Sequence, residues 1–556
     1  MTCFLPFSMG GVLSFLAVGA IAPMLRLTVL RLLNRLFGQS SPPLPRSSPT
    51  LITLPADILG IILQMLYDTS DPEEIGGYDE EIFAGSRLFH LSGTCRYMRA
   101  ETMPWIFREV YNWSHADGDV WPETLWPFIR TLHLRDHAVR HPTHLTIAND
   151  IFEVLPLMPV LTRVTLRLDA PIPSDLLISL SLVPKLTSLE IHQARLDGPT
   201  PPPTLGFSAL ENLQISICGF KGVVRANGID HERETENVLA LLQNVNDNLT
   251  GLQISGDLLS IGFLAQNWSH LRKFSVTDHT PSPYIPVPQL VSRMPVLEAL
   301  SVLFSADITR EADDIYPPFT LGIRGGEELA RHSPLLTSVT LSNLEPADPI
   351  FEQLPASLEA LHLLAMRDLY VPRPHVSRPL RVAPFTSTSL LTVMDCISRF
   401  DDLTQLSLTL QDFPTAEVIQ VVASVFPRLR FLQLACPIYS FGEIYCSDVR
   451  DDTILEALRG LPLLTHLRIA LDFEDREFQQ DPQQHAARWL MHALPGLQTV
   501  EFCWDQWRDW RWAGLEPFVW QPWDRSVLLL PPTPPPRTPS PRAPTPESVV
   551  GIELQN

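Results

Sequence analysis

Four histidines, His133, His192, His362 and His466, are the side chains best placed for chemistry. Each falls inside a short apolar unit that reads as a β-strand, in the middle position, which points away from a core. A row of imidazoles on the concave face of such an array could bind a ligand or titrate near neutral pH. Their spacing is not that of metal ligands, and the plainer reading is a set of solvated rings. The chain has no Gly-rich phosphate loop, no His-Glu-x-x-His and no Gly-x-Ser-x-Gly. Nothing in it therefore points to a catalytic, cofactor or metal site, and the expectation is a protein that is not an enzyme.

The second concentration is aromatic. Six of the twelve tryptophans fall between Trp504 and Trp523, with Arg508 and Arg511 among them. Trp beside Arg is common at binding hot spots, which makes Trp504, Trp507 and Trp510 a candidate partner-binding patch. A repeat array also needs its apolar end covered. Residues 504–530 therefore read first as a Trp-rich terminal cap.

The elements that would position these residues repeat along the chain. From Phe128 onward a Leu-x-x-Leu-x-Leu pattern returns, with Ile, Val or Phe allowed. It runs from Ile129/Leu132/Leu134 through Leu161/Val164/Leu166, Leu186/Leu189/Ile191, Leu210/Leu213/Ile215, Leu249/Leu252/Ile254 and Leu271/Phe274/Val276. It goes on as Leu297/Leu300/Val302, Leu336/Val339/Leu341, Leu358/Leu361/Leu363, Leu403/Leu406/Leu408, Leu429/Leu432/Leu434, Leu464/Leu467/Ile469 and Leu497/Val500/Phe502, thirteen units in all. The second and third apolar residues are two apart, so they share one face of a strand. Proline often stands two residues before the unit, as at Pro159, Pro184, Pro334 and Pro462, where it ends the preceding helix. Helix-like stretches such as 236–242 and 416–422 lie between units. Strand, turn and helix in repetition predict an irregular leucine-rich-repeat solenoid over 111–503. The steps vary from 22 to 45 residues, which predicts protruding insertions. An ordinary α/β domain with parallel strands is the alternative.

Bulk composition agrees with a folded body. The 556 residues are 45% hydrophobic and carry a formal charge of −21, which argues against nucleic acid as a partner. Seven scattered cysteines form no Cys-x-x-Cys pair, which fits a reducing compartment, cytoplasmic or nuclear.

Ahead of the repeats lies a stretch of different character, 51–110. Pro55 suits a first helical turn and Asp57 complements the dipole there. Ile58, Leu59, Ile61, Ile62, Leu63, Met65 and Leu66 make this helix apolar around most of its circumference, so it is buried or expects a partner. An acidic loop follows, with seven acids and no base from Asp68 to Glu81. A second helix carries Leu88, Leu91, Cys95 and Met98 at helical spacing, and Met103 to Phe107 is a third apolar anchor.

Leu54-Pro55, Ile58, Ile62, the Leu91-Ser92 to Cys95-Arg96 run with Arg99, and the Pro104-Trp105-Ile106-Phe107 ending resemble the F-box, most closely the F-box-like domains of fungal proteins. The fold class expected is thus α/β, a short helical F-box-like head followed by the irregular solenoid. The resemblance implies docking through Leu54, Pro55, Ile58, Leu59 and Ile62 on the adaptor subunit of an SCF-type cullin–RING ubiquitin ligase. The repeats would then hold an unknown protein substrate, and no cofactor is implied.

The remaining segments bear on location. Residues 1–38 form an apolar N-terminal segment; its uncharged part, including residues 3–25, is about as long as a membrane span. Three readings stay open for it: a membrane anchor facing the cytosol, a targeting segment or an unstructured extension. The anchor reading carries its own function, a membrane-tethered leucine-rich-repeat scaffold with no ligase role. Residues 39–50 read as a Ser/Pro linker, and 531–556 as a Pro-rich disordered tail.

Overall fold

The computed structural model describes residues 56–68, 86–113, 122–135, 149–168, 171–192, 195–198, 200, 205–216, 230–278, 280–281, 284–304, 320–325, 329–365, 385–411, 413–436, 452–470 and 489–502. They form two compact units, the first mainly of residues up to Ile285 and the second mainly of residues from Glu298 onward.

The first unit opens with three helices, α1 (Ala56–Asp68), α2 (Ser86–Ser92) and α3 (Arg96–Ile106). The expected single helix through Leu88, Leu91, Cys95 and Met98 is two. Its break has a local cause. Ser92 and Thr94 turn their hydroxyls back onto the carbonyls of Phe89 and Leu91, at 2.6 and 2.8 Å, and Gly93 lies between them. Cys95 then caps α3, its sulfur accepting the Met98 N–H at 3.4 Å. Leu59, Leu63, Leu88, Met98 and Ile106 close a small core of their own. Residues 103–106, including Pro104, belong to the last turns of α3, and Phe107 is its C-cap.

Seven parallel strands follow in this unit: β1 (Glu109–Trp113), β2 (Thr131–Arg135), β3 (Arg163–Arg167), β4 (Ser188–His192), β5 (Asn212–Ser216), β6 (Gly251–Ser255) and β7 (Lys273–Asp278). Seven more belong to the second unit: β8 (Ala299–Phe304), β9 (Ser338–Ser342), β10 (Ala360–Leu364), β11 (Gln405–Thr409), β12 (Phe431–Ala435), β13 (His466–Ile469) and β14 (Thr499–Phe502). Within each unit every strand pairs with the next in chain order, as Leu132 with Val164 and Leu432 with Leu467. All thirteen sequence units are strands. An additional one, β1, precedes them.

The apolar triplets explain why the strands stack. In β3, Val164 and Leu166 are fully buried, and so is Leu161, which turns under the strand from three residues before. The same holds for Leu336, Val339 and Leu341 at β9. Burying a side chain of this size contributes about 1.5–3 kcal/mol, and each of these two repeats supplies three.

A threonine ladder runs beside the apolar one. Thr162, Thr187, Thr250, Thr337, Thr404 and Thr465 each follow the first apolar residue of a unit. Each donates its hydroxyl to a main-chain carbonyl one strand earlier, from 3.0 Å at Thr465 to 3.4 Å at Thr337. That carbonyl also accepts two backbone N–H groups, as Thr162 does from Thr187 and Ser188 at 2.9 and 3.0 Å. Each of these strand leads is thereby tied to the strand before it.

Helices between strands form where capping and periodicity agree. His231–Val245 is capped by Asp230, whose carboxylate accepts the Arg233 N–H, and it buries Val238, Leu241, Leu242 and Val245. Thr415 caps Ala416–Val425 in the same way. In the second unit Asp348 gathers a loop: its carboxylate accepts N–H groups from Leu321, Gly322 and Ile350 at 2.6, 2.9 and 2.7 Å. The close approach requires Gly322, where a Cβ would sit 2.2 Å from the Ile350 nitrogen.

Candidate functional site

The head divides its apolar residues between inside and outside. Leu59, expected on the docking face, is only 1% exposed and packs in the head's core beside Leu63. Ile58 and Ile62 are half-buried. The exposed apolar residue of α1 is Ile61, with 51% of its surface accessible. α2 exposes Phe89 and α3 exposes Tyr97, so each head helix presents one large apolar side chain. Leu54 and Pro55 lie outside the described residues. So do Trp504, Trp507 and Trp510 with the rest of the expected cap, the linker, the N-terminal segment and the Pro-rich tail.

A polar cluster joins the head to the first strands. The Tyr67 hydroxyl, on the last turn of α1, donates to one oxygen of Glu109 at 3.0 Å. The other oxygen accepts from the Tyr111 hydroxyl at 3.0 Å and lies 2.7 Å from His133 Nε2. The hydrogen bond from His133 is the main reason the Glu109 carboxyl is held down, to about 2. Burial and the adjacent carboxylate push the Tyr67 phenol upward, so it stays a donor. Tyr111 and His133, paired in register on β1 and β2, stack with centroids 4.4 Å apart and planes 12° from parallel.

The four histidines share the face of the strands away from the core but do not make one row. His133 and His362 hold middle positions. His192 comes one place after the last apolar residue of its unit, and His466 one place before the second. Because side chains alternate, both shifts keep the ring on the same face and move it into a different column. Nor are the rings a solvated set. His192 is 1% exposed, with Nδ1 2.8 Å from the Ser216 hydroxyl, and His362 Nδ1 lies 2.7 Å from that of Ser407. Burial lowers both imidazole pKa values; at His192 the Glu190 carboxylate opposes that effect. His466 is exposed and contacts Thr465.

Glu190 is a second polar node, accepting from the Thr165 hydroxyl at 3.1 Å with Arg163 at 3.7 Å. Sequence reasoning missed both glutamate nodes and the threonine ladder. A Leu-Thr-x-Leu or Leu-Thr-x-Val signal was present for the ladder; the glutamates had none. Among the described residues no group of His, Cys, Asp and Glu could hold a metal ion. No described helix is long and apolar enough to cross a membrane.

Parallel strands in chain order, all but β1 carrying a Leu-x-x-Leu-x-Leu unit, define a leucine-rich-repeat protein with a helical head. The sequence matches no protein-family model and no curated protein. Solved structures are similar in fold at low identity. InlP of Listeria monocytogenes aligns at 15% identity and a TM-score of 0.23, over 51% of this chain and 60% of its own. Rad7, in the yeast Rad7–Elc1 complex structure, aligns at 14% identity and a TM-score of 0.34, over 83% and 97%. The leucine-rich-repeat-containing protein LegL7 of Legionella pneumophila aligns at 12% identity and a TM-score of 0.32, over 63% and 97%.

Proposed function

We propose that this chain is a bridging protein. Its head docks on the adaptor subunit of an SCF-type cullin–RING ubiquitin ligase, and its repeat body holds a protein substrate. The ligase supplies the chemistry and this chain supplies proximity. The observation carrying the reading is that the head satisfies its own core and still exposes Ile61, Phe89 and Tyr97, at 51%, 54% and 38%. Large apolar side chains kept in water by an already complete fold support a docking role. Leu54 and Pro55 lie immediately before α1 in the chain and belong to the same proposed surface, with Ile58 and Ile62. A cytoplasmic or nuclear location is part of the proposal.

The test is co-purification of the adaptor with the full-length protein. Replacing Leu54 and Pro55 by Ala, and separately Ile61 by Asp, should abolish association without changing the circular dichroism spectrum. Retention by both variants would place the docking surface elsewhere. Cell fractionation with and without residues 1–38 separates this reading from a membrane-tethered scaffold.

A further inference from the structure

Two neighbouring repeats of the first unit hold the same leucine out in water. Leu155 and Met158 before β3 match Leu180 and Val183 before β4, and all four are buried. The two strands pair in register, Arg163 with Ser188. Between the members of those buried pairs stand Leu157 and Leu182, at equivalent places on the two repeats, 61% and 62% exposed. The helix Ser174–Ser181 extends the patch. Asp175, Ile178 and the C-cap Leu182 follow one face at helical spacing, and Ile178 is also exposed. Glu153, exposed on the helix Asn149–Val154, lies one turn before Leu157. The result is an apolar strip crossing two repeats, with exposed acids at one end and exposed Lys185 at the other.

The chain carries a segment of complementary character outside the described residues. In 25–37, Leu25, Val29, Leu32, Leu33 and Leu36 recur at helical spacing, and Arg26 and Arg35 border that stripe. Residues 1–38 hold three arginines and no acid, in a chain of net charge −21. We propose that residues 25–37 dock as an amphipathic helix on Leu157, Ile178 and Leu182, with their arginines toward Glu153 and Asp175. This goes beyond the bridging role and gives the N-terminal segment a partner within its own chain. Its apolar stripe leaves water where the repeats offer exposed leucines, and the flanking guanidinium groups meet carboxylates. Reach is sufficient. Residues 38–55 lead to α1, and about eighteen residues span up to about 60 Å when extended. The last turn of α1 meets Glu109 of β1, and β3 and β4 lie two and three rungs further, about 10–15 Å away. A tether of that length gives an effective concentration in the millimolar range, so a modest contact suffices. A second copy fits less well, because a symmetric contact through this patch sets Glu153 and Asp175 against their own equivalents.

The experiment measures amide hydrogen exchange of the full-length protein in lipid-free buffer. Amides of residues 25–37 should exchange about tenfold or more slowly than in a free peptide of the same sequence, which is too short to hold a stable helix alone. Leu157→Ser/Leu182→Ser should return them to the free rate. Both leucines are exposed, and a thermal melt matching the parent confirms that the variant folds. Ile261→Ser removes another exposed apolar side chain of the first unit and should leave the protection intact. Arg26→Glu/Arg35→Glu should weaken the protection, and adding Glu153→Lys/Asp175→Lys should restore it. Free-peptide exchange in the parent would overturn the proposal, as would full protection in the Leu157/Leu182 variant. Protection that is lost on tenfold dilution would replace it with a contact between copies. Protection that appears only with vesicles of phosphatidylcholine and phosphatidylserine would replace it with a lipid surface.

Discussion

The Tyr67 hydroxyl and the Glu109 carboxylate meet at 3.0 Å, tying the last turn of α1 to the first residue of β1. They stand 42 positions apart in the chain. The bond links the head to the first repeats, a coupling the proposed bridging role would use.

Removing that hydroxyl tests the coupling. Tyr67→Phe keeps the ring packed against Trp105 and deletes one hydrogen bond to a charged acceptor. A loss of about 1 kcal/mol in urea unfolding is expected, because the site is partly exposed. Faster proteolysis at the α3–β1 junction should accompany it. Unchanged stability and unchanged cleavage would mean that apolar packing alone holds the head.

Acid should weaken the first unit in two stages of the same sign. His192 is buried neutral, with its pKa below the ordinary 6.5, so the unfolded chain takes up a proton first and stability falls as pH drops below that value. In the second unit His362, also lowered by burial, acts in the same direction. Glu109 is depressed from 4.5 to about 2, so its contribution is complete above 4.5 and is lost as pH falls toward 2. His192→Gln should flatten the upper limb of the stability–pH curve and Glu109→Gln the lower one. Parallel curves for parent and variants would contradict both assignments.

The threonine ladder predicts small losses repeated along the body. Valine in place of Thr162, Thr187 or Thr404 keeps the branched shape and removes the hydroxyl bond to the previous strand. Each should cost about 0.5–1.5 kcal/mol in denaturant unfolding. Distant members such as Thr162 and Thr404 should add, since they share no partner.

Asp348 carries more weight at one point. Asp348→Ala would leave three backbone N–H groups, those of Leu321, Gly322 and Ile350, without their acceptor. A loss of about 3 kcal/mol or more is expected, with a smaller one for Asp348→Asn, which retains one oxygen. A neutral result for the alanine variant, read by thermal melting, would show that the loop is held some other way.

Much of the fold was legible because burial is written locally. A residue that must be buried every second position along a strand has to be apolar, and thirteen such triplets each became a strand. β1 escaped notice because Asn112 stands where the pattern requires Leu, Ile, Val or Phe, although it pairs in register with Leu134. The Cys95 break was hidden for another reason. Leu88, Leu91, Cys95 and Met98 keep helical spacing across the two-helix turn, so periodicity ran on where hydroxyl side chains ended the helix.

By itself the sequence determined the repeat, its apolar core and the helical character of the head, since each depends on spacings of a few residues. Only the tertiary structure decided which polar groups meet. Glu109 finds Tyr67, 42 residues earlier, and His133, 24 residues later; His362 finds Ser407 across 45. Those partners are set by strand register and by intervening segments of unequal length, which no local pattern records. The same distinction governs α1. Its sequence is apolar nearly all round, and only the packing of α2 and α3 against it turns Leu59 inward and leaves Ile61 in solvent.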